Sequence, residues 1–404
     1  MSKASGHCDP KFSAISDIFS SAIESKFETG AAVAIEYKGE MVVDMYGGHK
    51  DAQRTKSWDK DTMVNVFSVT KGVTATCVAR LIDQGKLDVN KKVTDYWPEY
   101  GCNGKEDTKV SDFLCHRSNN FGFQDGMPNG SWQDWDLFTK ILEQQQPFKE
   151  PGSSQGYHAL TMGWLVGEII KRVDGRDTGT YFQEEIADPL NIDFKIGLQE
   201  DDFARCADML MLDTSDGKSP LEMIKYVPNI FLSKPLRNMK ESIKGGDFKI
   251  AFQSRDDDKN YVNEADWRKA QIPSANGHGT ARGLAKLYGI LSTGCEREGY
   301  RIMKSETLDY ATKVFSAGPD SVLFGTNITF GLGYELGKEM TLIGNLSPRF
   351  QNSMFGHAGV GGAVAFGDAS KEIGFAFICN EMHPYKSLYK SANDLTKALY
   401  DYLG

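Results

Sequence analysis

Ser68 and Lys71 stand three residues apart in the stretch Val66-Phe67-Ser68-Val69-Thr70-Lys71-Gly72. A serine hydroxyl is a weak nucleophile until a base takes its proton. Residues three apart on a helix share a face, so a lysine one turn beyond a serine can reach its hydroxyl. Helical spacing runs from Ser68 to Asp83, with Val69, Val73, Cys77, Val78 and Leu81 as its apolar stripe. Gly85 follows as a stop. Ser68 then opens the helix, where free N–H groups and the positive dipole end favour negative charge and disfavour a lysine cation. Burial acts on the lysine in the same direction. A neutral Lys71 is a general base for Ser68.

The spacing alone is not specific. Ser57–Lys60, Ser215–Lys218 and Ser387–Lys390 share it. The first two lie in polar stretches, and the third follows Pro384 without a companion motif. The plain alternative for Ser68 is a helix cap beside a solvated lysine.

Two further stretches weigh against that alternative. Pro151-Gly152-Ser153-Ser154-Gln155-Gly156-Tyr157-His158-Ala159 is a glycine-rich turn ahead of a helix over Leu160–Val173. A phenol at Tyr157, its pKa lowered by a nearby lysine cation, could shuttle a proton to a leaving group. Phe355-Gly356-His357-Ala358-Gly359-Val360-Gly361-Gly362 precedes a strand, and its glycines allow close approach to a ligand. There the Val360 N–H could pair with the Ser68 N–H as an oxyanion hole. The match of Gly152 to Gly156 to a G-x-S-x-G elbow is a weaker reading. An elbow needs an apolar strand before it, and here a polar run with Pro147 and Pro151 precedes it. His278, His357 and His383 have no acid partner fixed by spacing.

The 404 residues suffice for a large core in two lobes. A composition 40% apolar and 25% charged is that of a globular protein. The net charge of -9 argues against nucleic-acid binding. No apolar run reaches the roughly 18 residues of a membrane span. The opening MSKASGHCDPKF lacks an apolar signal region. Seven scattered cysteines read as reduced thiols, and the expected location is cytoplasmic. Cys102, Cys115 and His116 lack metal-ligand spacing, so no metal or cofactor is expected. The sequence carries no signal for an oligomeric state.

Several elements must position these residues. A helix is expected over 12–26, and Ala31–Tyr37 with Met41–Tyr46 as a hairpin. Further helices are expected over Trp135–Gln145, Tyr157–Val173, Tyr181–Ile186, Thr280–Leu291, Lys304–Ala311 and Asn393–Leu403. Strands are expected over Lys249–Phe252, Phe330–Glu335, Gly362–Phe366 and Ile373–Cys379, with a turn at Asp256–Lys259. Neither terminal set makes a stable sheet alone. The expected organisation is a sheet lobe from residues 1–85 and 276–404, with 86–275 inserted as a mostly helical lobe and lid loops.

Ser68-Val69-Thr70-Lys71, Tyr157 and His357-Ala358-Gly359, in this order, resemble the serine beta-lactamase-related superfamily. The resemblance is to its class C-like branch, which includes family VIII carboxylesterases. Leu81–Asp88, His116-Arg117-Ser118, Pro151-Gly152 and Asn276–Arg282 add to it. It implies an α+β, beta-lactamase/transpeptidase-like fold: an antiparallel sheet flanked by helices, plus a helical lobe. It implies acylation of Ser68, with Lys71 as base and Tyr157 in proton transfer. Class C beta-lactamases carry Tyr-x-Asn and Lys-Thr-Gly where this chain has Tyr157-His158-Ala159 and His357-Ala358-Gly359. Loss of the asparagine and the lysine cation points to uncharged, short-to-medium acyl esters, hence a serine carboxylesterase. His357, Gly359, His158 and Phe123 are its expected substrate-binding residues, with Phe121, Trp132, Trp135 and Phe355 as further pocket aromatics. The alternatives are a beta-lactamase or D-stereospecific peptidase, anchoring a carboxylate on Arg282 or His357, an acyl transferase, or a non-catalytic binding protein.

Overall fold

The structure, a computed structural model, describes residues 3–212, 228, 232, 237, 240–241, 244–253, 260–337, 353–384 and 387–404. Among the described residues, nine antiparallel strands form one sheet. Its order is Ser5–Cys8, Glu40–Gly48, Gly30–Tyr37, Ile373–Cys379, Val364–Asp368, Met354–Ala358, Glu335–Leu336, Asn327–Phe330 and Ser316–Pro319. The two ends of the chain meet where Gly30–Tyr37 pairs with Ile373–Cys379, with Ala34 opposite Ala376. Both faces of this junction are covered, so its strands read as nearly continuous apolar runs. Ala31, Val33 and Ile35 face one layer and Ala32 and Ala34 the other, the two-residue period of a strand.

On the first face lie the helices Ser13–Glu24 and Lys390–Leu403, which bury Ile15, Phe19, Leu395 and Leu399 against Phe366 and Phe375. On the second lies Ala281–Ser292. It sits so close that a Cβ on Gly374 would fall 2.1 Å from the Ala285 carbonyl oxygen and 2.2 Å from the Gly289 nitrogen. Gly374→Ala is therefore expected to cost about 1–3 kcal/mol, read as a lower denaturation midpoint. An unchanged midpoint would show that this contact is not tight.

Between the two sheet-forming parts lie the helices Val110–Leu114, Trp135–Gln144, Thr161–Asp174 and Thr178–Phe182. Their core holds Trp97, Tyr100, Phe113, Phe138 and Trp164. The fold is thus α+β, an antiparallel sheet flanked by helices with an inserted helical lobe. Among the described residues no helix is long and apolar enough to cross a membrane.

A short sheet not expected from the sequence joins Val64–Asn65, Gly277–Gly279 and Phe194–Ile196. It brings the segment leading to Ser68 against the segment after the helical lobe. Other expectations need correction. Lys249–Phe252 is not a strand; Asp247–Ala251 is a short helix. Phe330–Glu335 is two strand ends around a turn, with Phe330 paired to Glu335 and Gly333 at φ +83°. The helix expected from Tyr157 begins at Thr161, leaving Tyr157 in the turn. The helix expected over Tyr181–Ile186 starts earlier, at Thr178, and passes into a π turn over Gln183–Ala187. Val69–Asp83 has no single apolar stripe: Thr70, Lys71, Thr74 and Thr76 are as buried as Val69 and Val73, because this helix is central. The Asp256–Lys259 turn and the Ser215–Lys218 pair lie outside the described residues.

Candidate active site

The lead-in to Val69–Asp83 is a strained turn. Phe67 has φ +46°, a conformation that bulky side chains rarely adopt. Two bonds tie the turn to the Gly277 segment: the Val66 N–H donates to the Gly277 carbonyl at 2.9 Å, and the Gly277 N–H donates to Thr70 Oγ1 at 2.9 Å. Ser68 is thereby set immediately before the helix, with its side chain making no cap bond to the helix backbone. Its hydroxyl is left for other partners.

Those partners are Lys71 and Tyr157. Lys71 Nζ lies 3.1 Å from Ser68 Oγ, 2.8 Å from the Ala159 carbonyl and 2.9 Å from the Ser274 carbonyl. The Tyr157 hydroxyl donates to Ser68 Oγ at 2.7 Å. Lys71 Nζ also sits 4.8 Å from the Tyr157 ring centroid. Lys71 is fully buried, among the described residues no carboxylate is bonded to it, and burial pushes its pKa well below the usual lysine value.

The Tyr157 phenol departs from expectation. Its pKa is raised well above the usual tyrosine value, first by burial and then by Glu335 and Asp320, against the Ser68 hydrogen bond. The lowering expected from a lysine cation is not found: the Ser68 hydrogen bond alone acts downward, and loss of water around the phenol outweighs it. Tyr157 is anchored through its backbone, whose N–H donates to Asp320 Oδ1 at 3.1 Å. The same oxygen accepts from the Val322 and Leu323 N–H groups at 2.9 Å each. Asp320 was not singled out in the sequence. Its contact spans 163 positions, and only a Gly318-Pro319 turn signal marks its neighbourhood.

The strand Met354–Ala358 brings the third stretch alongside. A Cβ on Gly359 would lie 2.3 Å from the Val66 carbonyl oxygen, so only glycine lets this strand end approach the lead-in to Ser68. The Val360 and Ser68 N–H groups have no protein acceptor among the described residues. His357 is buried; its Nδ1 lies 2.8 Å from the Ala358 carbonyl and 3.7 Å from Glu335 Oε2. Since a carbonyl only accepts, Nδ1 carries the proton. Burial holds His357 down to about 3, so it is neutral near pH 7. Burial also raises Glu335 to about 7, against the Ala358 N–H.

The other expected binding residues divide. His158 is buried, with Nε2 2.7 Å from Ser118 Oγ, and its backbone N–H donates to His116 Nδ1. The His116 ring stands 4.7 Å from that of Tyr157. Phe123 is instead core, packed on Phe138 and Trp164. Trp132 stacks on Phe138 and Tyr261. Trp135 donates to Glu168, and Phe355 packs near Tyr288 and Tyr334. Only Phe121 of that group shares an apolar cluster with Tyr157. Arg282 is committed to Asp44 at 2.6 Å. Ser154 of the competing elbow donates to Asn119 at 2.9 Å and follows no strand.

A serine bonded to a buried lysine and to a tyrosine is the arrangement implied by the resemblance, and comparison with known proteins decides the family. The Beta-lactamase family model matches residues 16–397. The chain belongs to the beta-lactamase family. It is 32% identical over 382 residues to Esterase/beta-lactamase LipL of Mycobacterium tuberculosis, covering 93% of this chain and 83% of that one. Among solved structures it is similar to a family VIII carboxylesterase, with TM-score 0.84, 31% identity, and coverage of 99% and 100%. It is equally similar to a penicillin-binding protein homologue from Caulobacter crescentus, with TM-score 0.84, 32% identity and the same coverage. The protein is a serine hydrolase of the beta-lactamase and family VIII esterase superfamily.

Proposed function

We propose that the protein is a carboxylesterase that hydrolyses uncharged esters through an acyl-enzyme on Ser68. The observation that carries this reading is the set of three bonds at Lys71 Nζ. A neutral amine has two N–H groups and one lone pair. In the neutral amine that burial favours, the Ala159 and Ser274 carbonyls take the two N–H groups, and the lone pair, on a nitrogen 3.1 Å from Ser68 Oγ, is left for the hydroxyl proton. Lys71 removes that proton as Oγ attacks the ester carbonyl. The Ser68 and Val360 N–H groups stabilise the oxyanion; one such donor is worth about 3 kcal/mol of the barrier. Tyr157, kept protonated by burial, hands its proton to the departing alcohol and regains one from Lys71. Water then attacks the acyl carbon, Lys71 with Tyr157 takes up its proton, and the same proton returns to Ser68 Oγ as the Oγ–acyl bond breaks and the acid leaves.

The preference for uncharged substrates follows from what faces the site. His357 is neutral and Arg282 is held by Asp44, so neither supplies a cation for a carboxylate. The name of the Mycobacterium relative joins esterase with beta-lactamase, and that alternative is tested directly. Hydrolysis of p-nitrophenyl acetate, butyrate and octanoate is compared with that of nitrocefin. The expected result is a kcat/KM at least ~100-fold higher for the best ester, below the ~10⁴–10⁵ that a missing hydrogen-bonding anchor can cost. Nitrocefin turnover equal to ester turnover would make the lactamase reading the correct one.

A further inference from the structure

We infer that the alcohol portion of the substrate is aromatic, and that Phe252 and Phe248 form the wall that selects it. The inference rests on the proposed role of Tyr157 and names the substrate class of the same site. Starting at Tyr157, aromatic rings continue outward in stacked orientation. Tyr157 and Phe252 have centroids 6.1 Å apart and planes at 27°. Phe252 and Phe248 are 4.6 Å apart at 25°, and Phe248 and Phe324 are 4.7 Å apart at 26°. These are the spacings at which ring faces attract one another.

Phe248, Phe252 and Phe324 are each half-buried, whereas Tyr157 and Phe121 beneath them are buried. A row of partly open apolar rings, stacked on the ring whose hydroxyl is bonded to the nucleophile, has the composition of a ligand-binding wall. The wall is held in place. A Cβ on Gly122 would fall 2.6 Å from Ile250 Cγ2, so Asp247–Ala251 docks directly on that glycine. Lys149 pairs with Asp247 at 3.3 Å across the same contact, which leaves no unbalanced charge on the wall from this pair. Phe248 and Phe252 are four residues apart, so the short helix presents both rings on one side.

The wall lies on the alcohol side because it extends from Tyr157. That hydroxyl delivers the proton to the leaving oxygen, so the group attached to this oxygen runs out along Phe252 and Phe248. The acyl chain leaves the carbonyl carbon in another direction. An aromatic alcohol moiety, benzyl or larger, is the group whose face can meet the open ring edges of the row in edge-to-face contact.

The test uses kcat/KM for benzyl acetate, methyl acetate and methyl benzoate in the 404-residue chain and in its Phe252→Ala and Phe248→Ala variants. Benzyl and methyl alcohols are both alkanols, so the comparison reads recognition and not leaving-group reactivity. The expected result is a benzyl-to-methyl preference that falls about tenfold in each variant, the scale of one lost apolar contact. The benzoate-to-acetate preference of the methyl esters is expected to move less than about twofold on that scale. A benzyl-to-methyl ratio that stays put, or a benzoate-to-acetate ratio that falls in its place, overturns the inference. Fluorophosphonate labelling of Ser68, measured on the same samples, separates this from the underlying reading. A wild-type protein that takes no label on Ser68 sinks the hydrolase mechanism at Ser68. Full labelling with unmoved ratios sinks only the aromatic wall.

Discussion

Ser68→Ala is expected to lower ester kcat by a factor on the order of 10⁵–10⁶, the loss seen when a hydrolase nucleophile is removed. Among the described residues the hydroxyl is the only group bonded to both the Lys71 amine and the Tyr157 phenol. Removing Oγ leaves the two N–H donors and the rest of the pocket in place. The residue is small and stands before the helix without capping it, so the fold should survive. Denaturation midpoint and circular dichroism check that survival, and steady-state hydrolysis reads the loss. A variant that retains more than about a hundredth of wild-type kcat would mean that another group attacks the ester, since losses of positioning alone are of that size.

Lys71→Ala is expected to lower kcat/KM by roughly 10³–10⁴, the upper range for loss of a positioned general base. The pH profile adds a second reading. The base form of Lys71 is the neutral amine, and burial depresses its pKa well below the usual lysine value. As pH falls through that depressed value the amine gains a proton and loses its lone pair. The wild-type rate therefore falls on the acid side. In Lys71→Ala that acid limb should disappear along with the rate. Tyr157 contributes no basic limb below the usual tyrosine range, because its pKa is raised and it stays protonated there. An acid limb unchanged in Lys71→Ala would assign the titration to another group, with Glu335, raised to about 7, as the first to examine.

Local spacing made one half of this site legible and topology hid the other half. Ser68 and Lys71 stood out because a three-residue interval on a helix has a direct geometric meaning. Tyr157 followed only in company with His357-Ala358-Gly359, since a lone tyrosine carries no spacing rule. The groups that hold Lys71 were illegible for a simple reason. Ala159 and Ser274 contribute carbonyl oxygens, which every residue has, from positions 88 and 203 residues away. The anchoring of Tyr157 on Asp320 depends likewise on a contact across the chain.

The same division holds for the fold. Gly30–Tyr37 and Ile373–Cys379 were read nearly to the residue, because β-branched and aromatic runs leave few alternatives. Lys249–Phe252 was misread because alternation over four residues resembles a strand as much as a helical turn. In the folded chain Phe248 and Phe252, four apart, stack at 4.6 Å, as one helical turn places them. Phe123 and Trp132 were assigned to the pocket from position alone, and the core of the helical lobe claimed both. Val69–Asp83 defied its apolar stripe because a central helix is covered on every side, so even its lysine and threonines are buried.

The most direct test of the central claim is to trap the acyl-enzyme and find the residue that carries it. The protein is treated with a fluorophosphonate, digested, and the peptides are sequenced by mass spectrometry. The expected result is one adduct, on Ser68, absent from Ser68→Ala and formed far more slowly in Lys71→Ala. An adduct on Ser153 or Ser154, or labelling of Lys71→Ala at the wild-type rate, would contradict the account.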